Sequence, residues 1–375
     1  MAAVTTPPGR EVDGVWDRAP GGTYRDECDD RRFRHARERH EGFPIGQYMQ
    51  PAPMLFTADR HPVWIGDLFR GRSLFLTLSG PSLQAVNLDP LRDPGMMTMG
   101  VNNSPAAFRP NLWCEVDNPQ NFLMSTWLDS RIMKFCPLDH AAKKLFDSAR
   151  WRESKTLVQD CPNVFFYQRN ERFDPAQWLH EDTLNWGNHS DLCVKCNFQR
   201  PSKKDIERGA KKIKVCPNCG SKHFGSRTVM LPTIRIAFIL GFRKVFLLGA
   251  DFKMQHGKQN YAFEQDRSKQ SVKNNNNTYE ILNYRFEQLR PYFEKHGFHV
   301  LNCTQGSGLT AFDFIPYNKA LQIAQAEMPD MDKETTAGMY DRSANEKQGK
   351  ASKPLPKIDN IDDFEKHMRE RGMIA

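Results

Sequence analysis

The chain lacks any apolar run long enough to cross a bilayer. Its longest apolar stretches, around residues 236–240 and 245–250, are separated by Arg243 and Lys244 and fall far short of the roughly 18 residues a span requires. Residues 1–14 also lack the basic start and apolar core of an export signal. The expected compartment is therefore the cytoplasm, that of the host if the protein is phage-encoded, with no membrane partner. Thiols stay reduced there, which leaves the nine cysteines as thiols or metal ligands. Internal repeats are absent, and 39% apolar with 26% charged residues excludes collagen-like, mucin-like and wholly disordered classes. What 375 residues can supply is a buried core in two or three folding units, at about 150 residues each.

The texture changes along the chain. Residues 1–70 begin rich in Pro and Gly and then alternate Arg with Asp and Glu, as expected of a polar arm. From Ser73 onward, short apolar runs at 73–79, 96–101, 112–116, 132–135, 164–167, 244–248 and 298–301 predict buried strands. Helices are expected over 226–240, stopped by Gly241, from Thr278 to about His296, and from Pro316 to about Glu327. The four asparagines 274–277 read as the end of a loop. This alternation predicts an α/β fold, a Rossmann-like and mostly parallel sheet with helices on both faces, binding ligands at the carboxyl ends of its strands. Residues 71–188 and 226–328 are its two parts. Residues 189–225 are an insertion, and 329–375 form a polar tail with a short helix over 361–371.

That insertion carries Cys193-x2-Cys196 and Cys216-x2-Cys219, the spacing of a four-cysteine zinc ribbon. Each pair turns two thiolates toward one point, and Gly220 permits the turn after the second pair. A closed site of four soft ligands holds structural Zn²⁺ rather than a catalytic metal. His189 and His223 lie nearby and are expected at the surface. Cys28, Cys114, Cys136, Cys161 and Cys303 have no such spacing and are expected to pack as small apolar residues. Seven Lys and two Arg stand against Asp191, Asp205 and Glu207 here, most of the chain's net +8. Even with zinc and four thiolates the segment keeps about four positive charges, a basic lobe able to meet a nucleic acid.

Ser79-Gly80-Pro81-Ser82 follows the first long strand and opens a helix, a place where backbone N–H groups receive anions. Asn102 and Asn103 follow the next strand, where two amides can read a base or ribose, and Asp117 and Asn118 follow the third. The ordered set GPSL (80–83), VNNSP (101–105), DNP (117–119), LGFRKVFLLGADF (240–252), NYAF (260–263) and NCTQGSGLTAF (302–312) resembles the bacterial sialyltransferase-type glycosyltransferases and their relatives around the archaeal 6-hydroxymethylpterin diphosphokinase. The likeness covers about 73–328 and lacks the zinc ribbon. It implies a Rossmann-like fold in which Gly80, Ser82, Asn102 and Asn118 hold a nucleotide, completed by Ser226 and Thr228 at a helix start and by Gly249 and Asp251. Tyr261 matches a tyrosine whose hydroxyl helps the departing phosphate. Two departures stand out. Ser79 replaces the family's Asn before Gly80, and Asn274 occupies the place of its general-base histidine, counted back from Asn277-Thr278. An amide takes no proton at neutral pH.

Another base is then required, and Asp117, Asp251 and His256 are the candidates. The carboxylates can alternatively hold Mg²⁺ near phosphates. Glu115, two residues from Asp117, is expected to share its strand face, where the two can bind one metal or share a proton. Trp113, Trp127, Trp178 and Trp186 can stack a base or sugar, with core packing expected for most of them. The leading expectation is a glycosyltransferase using a nucleotide-sugar donor, with a nucleic-acid acceptor of the phage DNA-modification type. The alternatives are a Mg²⁺-dependent diphosphokinase and a non-catalytic zinc-ribbon nucleic-acid-binding module.

Overall fold

The computed structural model describes residues 55–328, apart from Arg60, Trp64, Arg172, Asp182 and 264–268. Most of the polar arm, Cys28 and the expected tail with its helix over 361–371 lie outside the described residues. The first strands are β1 (Leu55–Phe56), β2 (Pro62–Val63), β3 (Ser73–Thr77), β4 (Met97–Val101), β5 (Leu112–Cys114) and β6 (Met133–Pro137). A hairpin follows, β7 (Lys144–Asp147) with β8 (Arg152–Leu157), and then β9 (Val164–Tyr167), β10 (Arg169–Asn170) and β11 (Leu184–Asn185). Two antiparallel strands, β12 (Gly187–Cys193) and β13 (Phe224–Arg227), bound the insertion, and β14 (Lys244–Leu248) and β15 (His299–Asn302) complete the set. The helices are α1 (Met124–Leu128), α2 (Lys203–Glu207), α3 (Met230–Ile239), α4 (Lys269–Lys295) and α5 (Tyr317–Ala326).

The main sheet has nine strands in the order β15-β14-β3-β4-β5-β6-β9-β1-β2. The first seven run parallel, and β1 and β2 close one edge antiparallel. Alternation along each strand sorts the core into two layers. Leu74, Leu76, Val245 and Leu247 face α3 and the Ile281–Phe293 stretch of α4. Phe75, Phe246 and Leu248 face the α5 side, and Trp113 and Phe166 face α1. The expected helices on both faces are present, but the βα alternation is looser than the apolar pattern predicts. Between β3 and β6 the connections contain short 3-10 turns and the five-residue α1.

The chain grows outward from β3 to β9 and then returns to the other side of β3 with β14 and β15. That reversal is a topological switch point, where the loops after neighbouring strands part and leave a crevice at their carboxyl ends.

Candidate functional site

A cavity of about 430 Å³ occupies that crevice. Its wall gathers residues from the turn after β3, the ends of β4 and β5, the junction of β13 with α3, the loop after β14 and one face of α4. Nine of the expected residues meet there: Ser79, Gly80, Asn102, Asn103, Asp117, Thr228, Gly249, Asp251 and Tyr261.

Local packing explains their placement. Gly80 N donates to the Gly249 carbonyl at 3.0 Å, and a Cβ on Gly80 would collide with that carbonyl and with Asp251 Oδ2. Ser82 reaches the cavity at one remove. Its backbone N (3.2 Å) and Oγ (2.7 Å) both donate to Asp251 Oδ2. The Gly249–Asp251 turn is held from behind by the closing segment: Ala250 N donates to Thr304 Oγ1 at 2.9 Å, Ser307 Oγ donates to the Ala250 carbonyl, and Gly308 N donates to Asp251 O at 2.8 Å. Asn102 sits in the left-handed region at φ 44°, which Asn tolerates better than most residues. The Trp113 indole donates to its carbonyl (2.8 Å), while its own amide donates to Asp117 Oδ2 (2.9 Å). One side chain thereby bridges two strand ends.

Five expected residues fall elsewhere or act indirectly. Besides Ser82, Asn118 caps the 3-10 turn after β5, accepting from Gln120 N at 3.3 Å. Ser226 lies within β13, because the chain is still paired with β12 there and α3 begins only at Met230. His256 is exposed in the loop after β14. Asn274 is exposed on α4, where Gln270 Nε2 donates to its Oδ1 at 2.7 Å. The asparagine run does not end a loop; it forms part of the first turns of a 27-residue helix. Asn275, not Asn274, turns to the cavity, since one residue along a helix rotates the side chain by about 100°.

The expected Glu115–Asp117 pair is replaced by a different one. Glu115 and His140 are 0% and 2% exposed, and Glu115 Oε1 lies 2.8 Å from His140 Nδ1. Burial holds the Glu115 carboxyl well above the usual carboxylate range and pushes His140 down to about 2. Neither lines the cavity.

Sequence reasoning passed over Arg227, Lys253, Phe252, Ser271 and Tyr279, and of the four tryptophans weighed for stacking only Trp186 lines the cavity. Trp113, Trp127 and Trp178 are fully buried, whereas Trp186 is 9% exposed and lies under two guanidinium groups, Arg169 at 4.1 Å and Arg227 at 4.9 Å from its ring centroid. Arg227 Nη2 lies 2.7 Å from Glu171 Oε1. The spacing signal that could have found Arg227 is the end of the β13 run, which pattern reading assigned to a helix.

In the insertion, the four cysteine sulfurs lie within 4.8 Å of one another, with Cys193–Cys219 and Cys196–Cys216 each 3.4 Å apart. Among the described residues no other three His, Cys, Asp or Glu side chains converge in this way. The two knuckles share one geometry. Cys193 N donates to Phe198 O and Asn197 N to Cys193 O, while Cys216 N donates to Ser221 O and Gly220 N to Cys216 O. The left-handed residues are Asn197 (φ 55°) and Gly220 (φ 71°). Four thiols at this separation can bind a metal such as zinc. The other described cysteines are buried, and burial pushes Cys114 and Cys303 up to about 12, the state of inert packing thiols.

No helix among the described residues is long and apolar enough to cross a membrane. No protein-family model matches the sequence, and no curated protein matches it. Among solved structures, 75% of the chain aligns with 40% of the MAf glycosyltransferase from Magnetospirillum magneticum AMB-1, at 11% identity and a TM-score of 0.35. The chain therefore spans well under half the length of that protein. A second alignment joins 66% of this chain to 85% of the sialyltransferase CstII from Campylobacter jejuni, solved in complex with a substrate analogue, cytidine-5'-monophosphate, at 14% identity and a TM-score of 0.32. Both are glycosyltransferases, and scores of this size leave the functional reading to rest on the site itself.

Proposed function

We propose that the protein is a glycosyltransferase that moves a sugar from a nucleotide-sugar donor to a hydroxyl acceptor. The observation that carries this reading is convergence. Residues from five of the six segments that resemble the sialyltransferase-type enzymes meet around one polar cavity at the switch point of the sheet, and the sixth, 302–312, holds the Gly249–Asp251 turn from behind. In this reading the Gly80 turn, Thr228 and the cations Arg227 and Lys253 receive the phosphates. Asn102 and Asn103 meet the base or ribose, and the Tyr261 hydroxyl assists the departing phosphate. Asp117 takes the proton of the acceptor hydroxyl: its Oδ2 accepts a bond from Asn102 Nδ2 at 2.9 Å, which orients it, whereas Asp251 Oδ2 accepts two from Ser82 and His256 lies outside the cavity. Zinc in the four-cysteine site is structural, and the basic insertion meets a nucleic-acid acceptor.

A second reading has an observation of its own. Asp117 and Asp251 line the same cavity, and Mg²⁺ commonly takes one or two carboxylates together with substrate phosphates. That arrangement suits an ATP-dependent diphosphokinase acting on a pterin-like alcohol. A thermal-shift panel separates the two, using CMP, CDP, UDP, GDP and ADP, their sugar conjugates, and ATP with and without Mg²⁺. A ligand at a hundredfold excess over its Kd adds about 2.7 kcal/mol of stability. Selective stabilisation by one nucleotide sugar is expected. Selective stabilisation by Mg²⁺ with ATP would transfer the assignment to the kinase, and no shift with any ligand would overturn both.

A further inference from the structure

The two strands of the insertion each join a cysteine ligand to the wall of the cavity. β12 leaves directly from Trp186 and ends on Cys193, while β13 begins shortly after Cys219 and ends on Arg227. Gly187 and Arg227 are register partners. A buried amide ties the first knuckle to the core. Asn188 is 0% exposed, its Nδ2 donates to Asn197 Oδ1 at 2.9 Å, and its Oδ1 accepts from Arg285 Nη2 on α4, the helix that lines the cavity one turn earlier through Tyr279 and Leu282.

Besides polar contacts to α4 from His223 and Lys195, the insertion has little apolar packing to hold it. None of residues 189–225 belongs to the three hydrophobic clusters, and a two-stranded ribbon is marginal by itself. In such units the metal supplies the folding free energy. Among the described residues Arg227 has one ion pair, to Glu171, and its stacking on Trp186, which leaves guanidinium donors that can meet a ligand.

Resting on the nucleotide-pocket reading above, we propose that metal binding by the four cysteines positions Arg227 for the donor's phosphates, so that a site outside the cavity sets the affinity inside it. Arg227 is then a phosphate-binding residue, and the four cysteines are positioning residues that act through β12 and β13.

The test uses the full chain with its zinc, the same protein after zinc withdrawal by a chelator, and the variants Cys196→Ser, Arg227→Ala and Arg227→Lys. Hydrogen exchange is followed by mass spectrometry, and inorganic pyrophosphate is titrated calorimetrically. Metal loss is expected to release protection at 187–188 and 225–228 while β3 and β14 stay protected. It should also weaken pyrophosphate binding about tenfold, as Arg227→Ala does. Zinc withdrawal from Arg227→Ala should add nothing further, and Arg227→Lys should recover part of the affinity. Unchanged exchange at 225–228, additive losses, pyrophosphate binding indifferent to metal, no binding by the zinc-loaded protein, or loss of protection throughout the sheet would each overturn the proposal. Exchange is read without any nucleotide, so failure of this coupling and failure of the donor reading remain distinguishable.

Discussion

Gly80 leaves no room for a side chain, because its Cα faces both the Gly249 carbonyl and the Asp251 carboxylate. Gly80→Ala must therefore separate the β3 turn from the β14 turn, and it is expected to abolish the thermal shift given by the nucleotide that stabilises the parent protein. The Glu115–His140 pair makes a prediction of another kind. Burial favours the neutral form of both groups, so the folded pair carries one proton over a wide pH range, whichever atom holds it. The unfolded pair carries two protons below about pH 4.5, one between 4.5 and 6.5, and none above. By itself His140, with its folded value depressed, loses stability as pH falls below 6.5; Glu115, with its folded value raised, loses it as pH rises above 4.5. Between those values the two effects cancel. Stability from this pair is thus greatest between about pH 4.5 and 6.5 and falls on either side by up to about 1.4 kcal/mol per pH unit. Urea unfolding at pH 5.5 and pH 8 measures this, and Glu115→Gln should remove the loss on the alkaline side.

Helix α4 shows where sequence pattern and tertiary context part. Asparagine is a poor helix former, so the run 274–277 reads as loop, yet three of the four amides have partners that explain them. Asn276 Oδ1 accepts from Met254 N (2.9 Å) and its Nδ2 donates to Met254 O (3.0 Å), Asn275 Nδ2 lies 3.3 Å from Met254 Sδ, and Asn277 Oδ1 meets His223 Nδ1 at 3.1 Å. Asn275 and Asn276 stitch the loop after β14 to the helix and Asn277 ties in the insertion, and long-range bonds of this kind leave no local trace in the sequence. Asn276→Ala should cost about 1–3 kcal/mol through two unpaired backbone groups, visible as faster hydrogen exchange around Met254. Strands were legible where burial dominates: Val164–Tyr167 and Lys244–Leu248 coincide with uninterrupted apolar runs. The site was legible where the backbone itself makes it, at Gly80, Asn102 and Gly249, each next to a strand end. Arg227 was not, because its place in the wall depends on a strand pairing across the whole insertion.

Charge is distributed over the whole molecule as unevenly as the chemistry. Lys204, Arg208, Lys211, Lys212, Lys214 and Lys222 are exposed and make no ion pair with a described carboxylate, whereas Lys203 stands 4.0 Å from Glu207 and Arg200 3.3 Å from Asp191. Duplex DNA binding through this lobe should weaken steeply with salt, and replacing Lys211, Lys212 and Lys214 by Gln should lower the log–log salt slope by about one for each phosphate that is no longer neutralised. Binding indifferent to salt would exclude that surface as the acceptor site. The insertion also leaves and rejoins the core at neighbouring points, since Gly187 and Arg227 are partners in one ladder. In terms of descent, such a segment can be acquired or discarded in a single event without any strand changing its neighbours. A homologue with a two-residue hairpin between those positions would keep the same sheet order, but with its cavity wall closed by a turn and answerable to no metal.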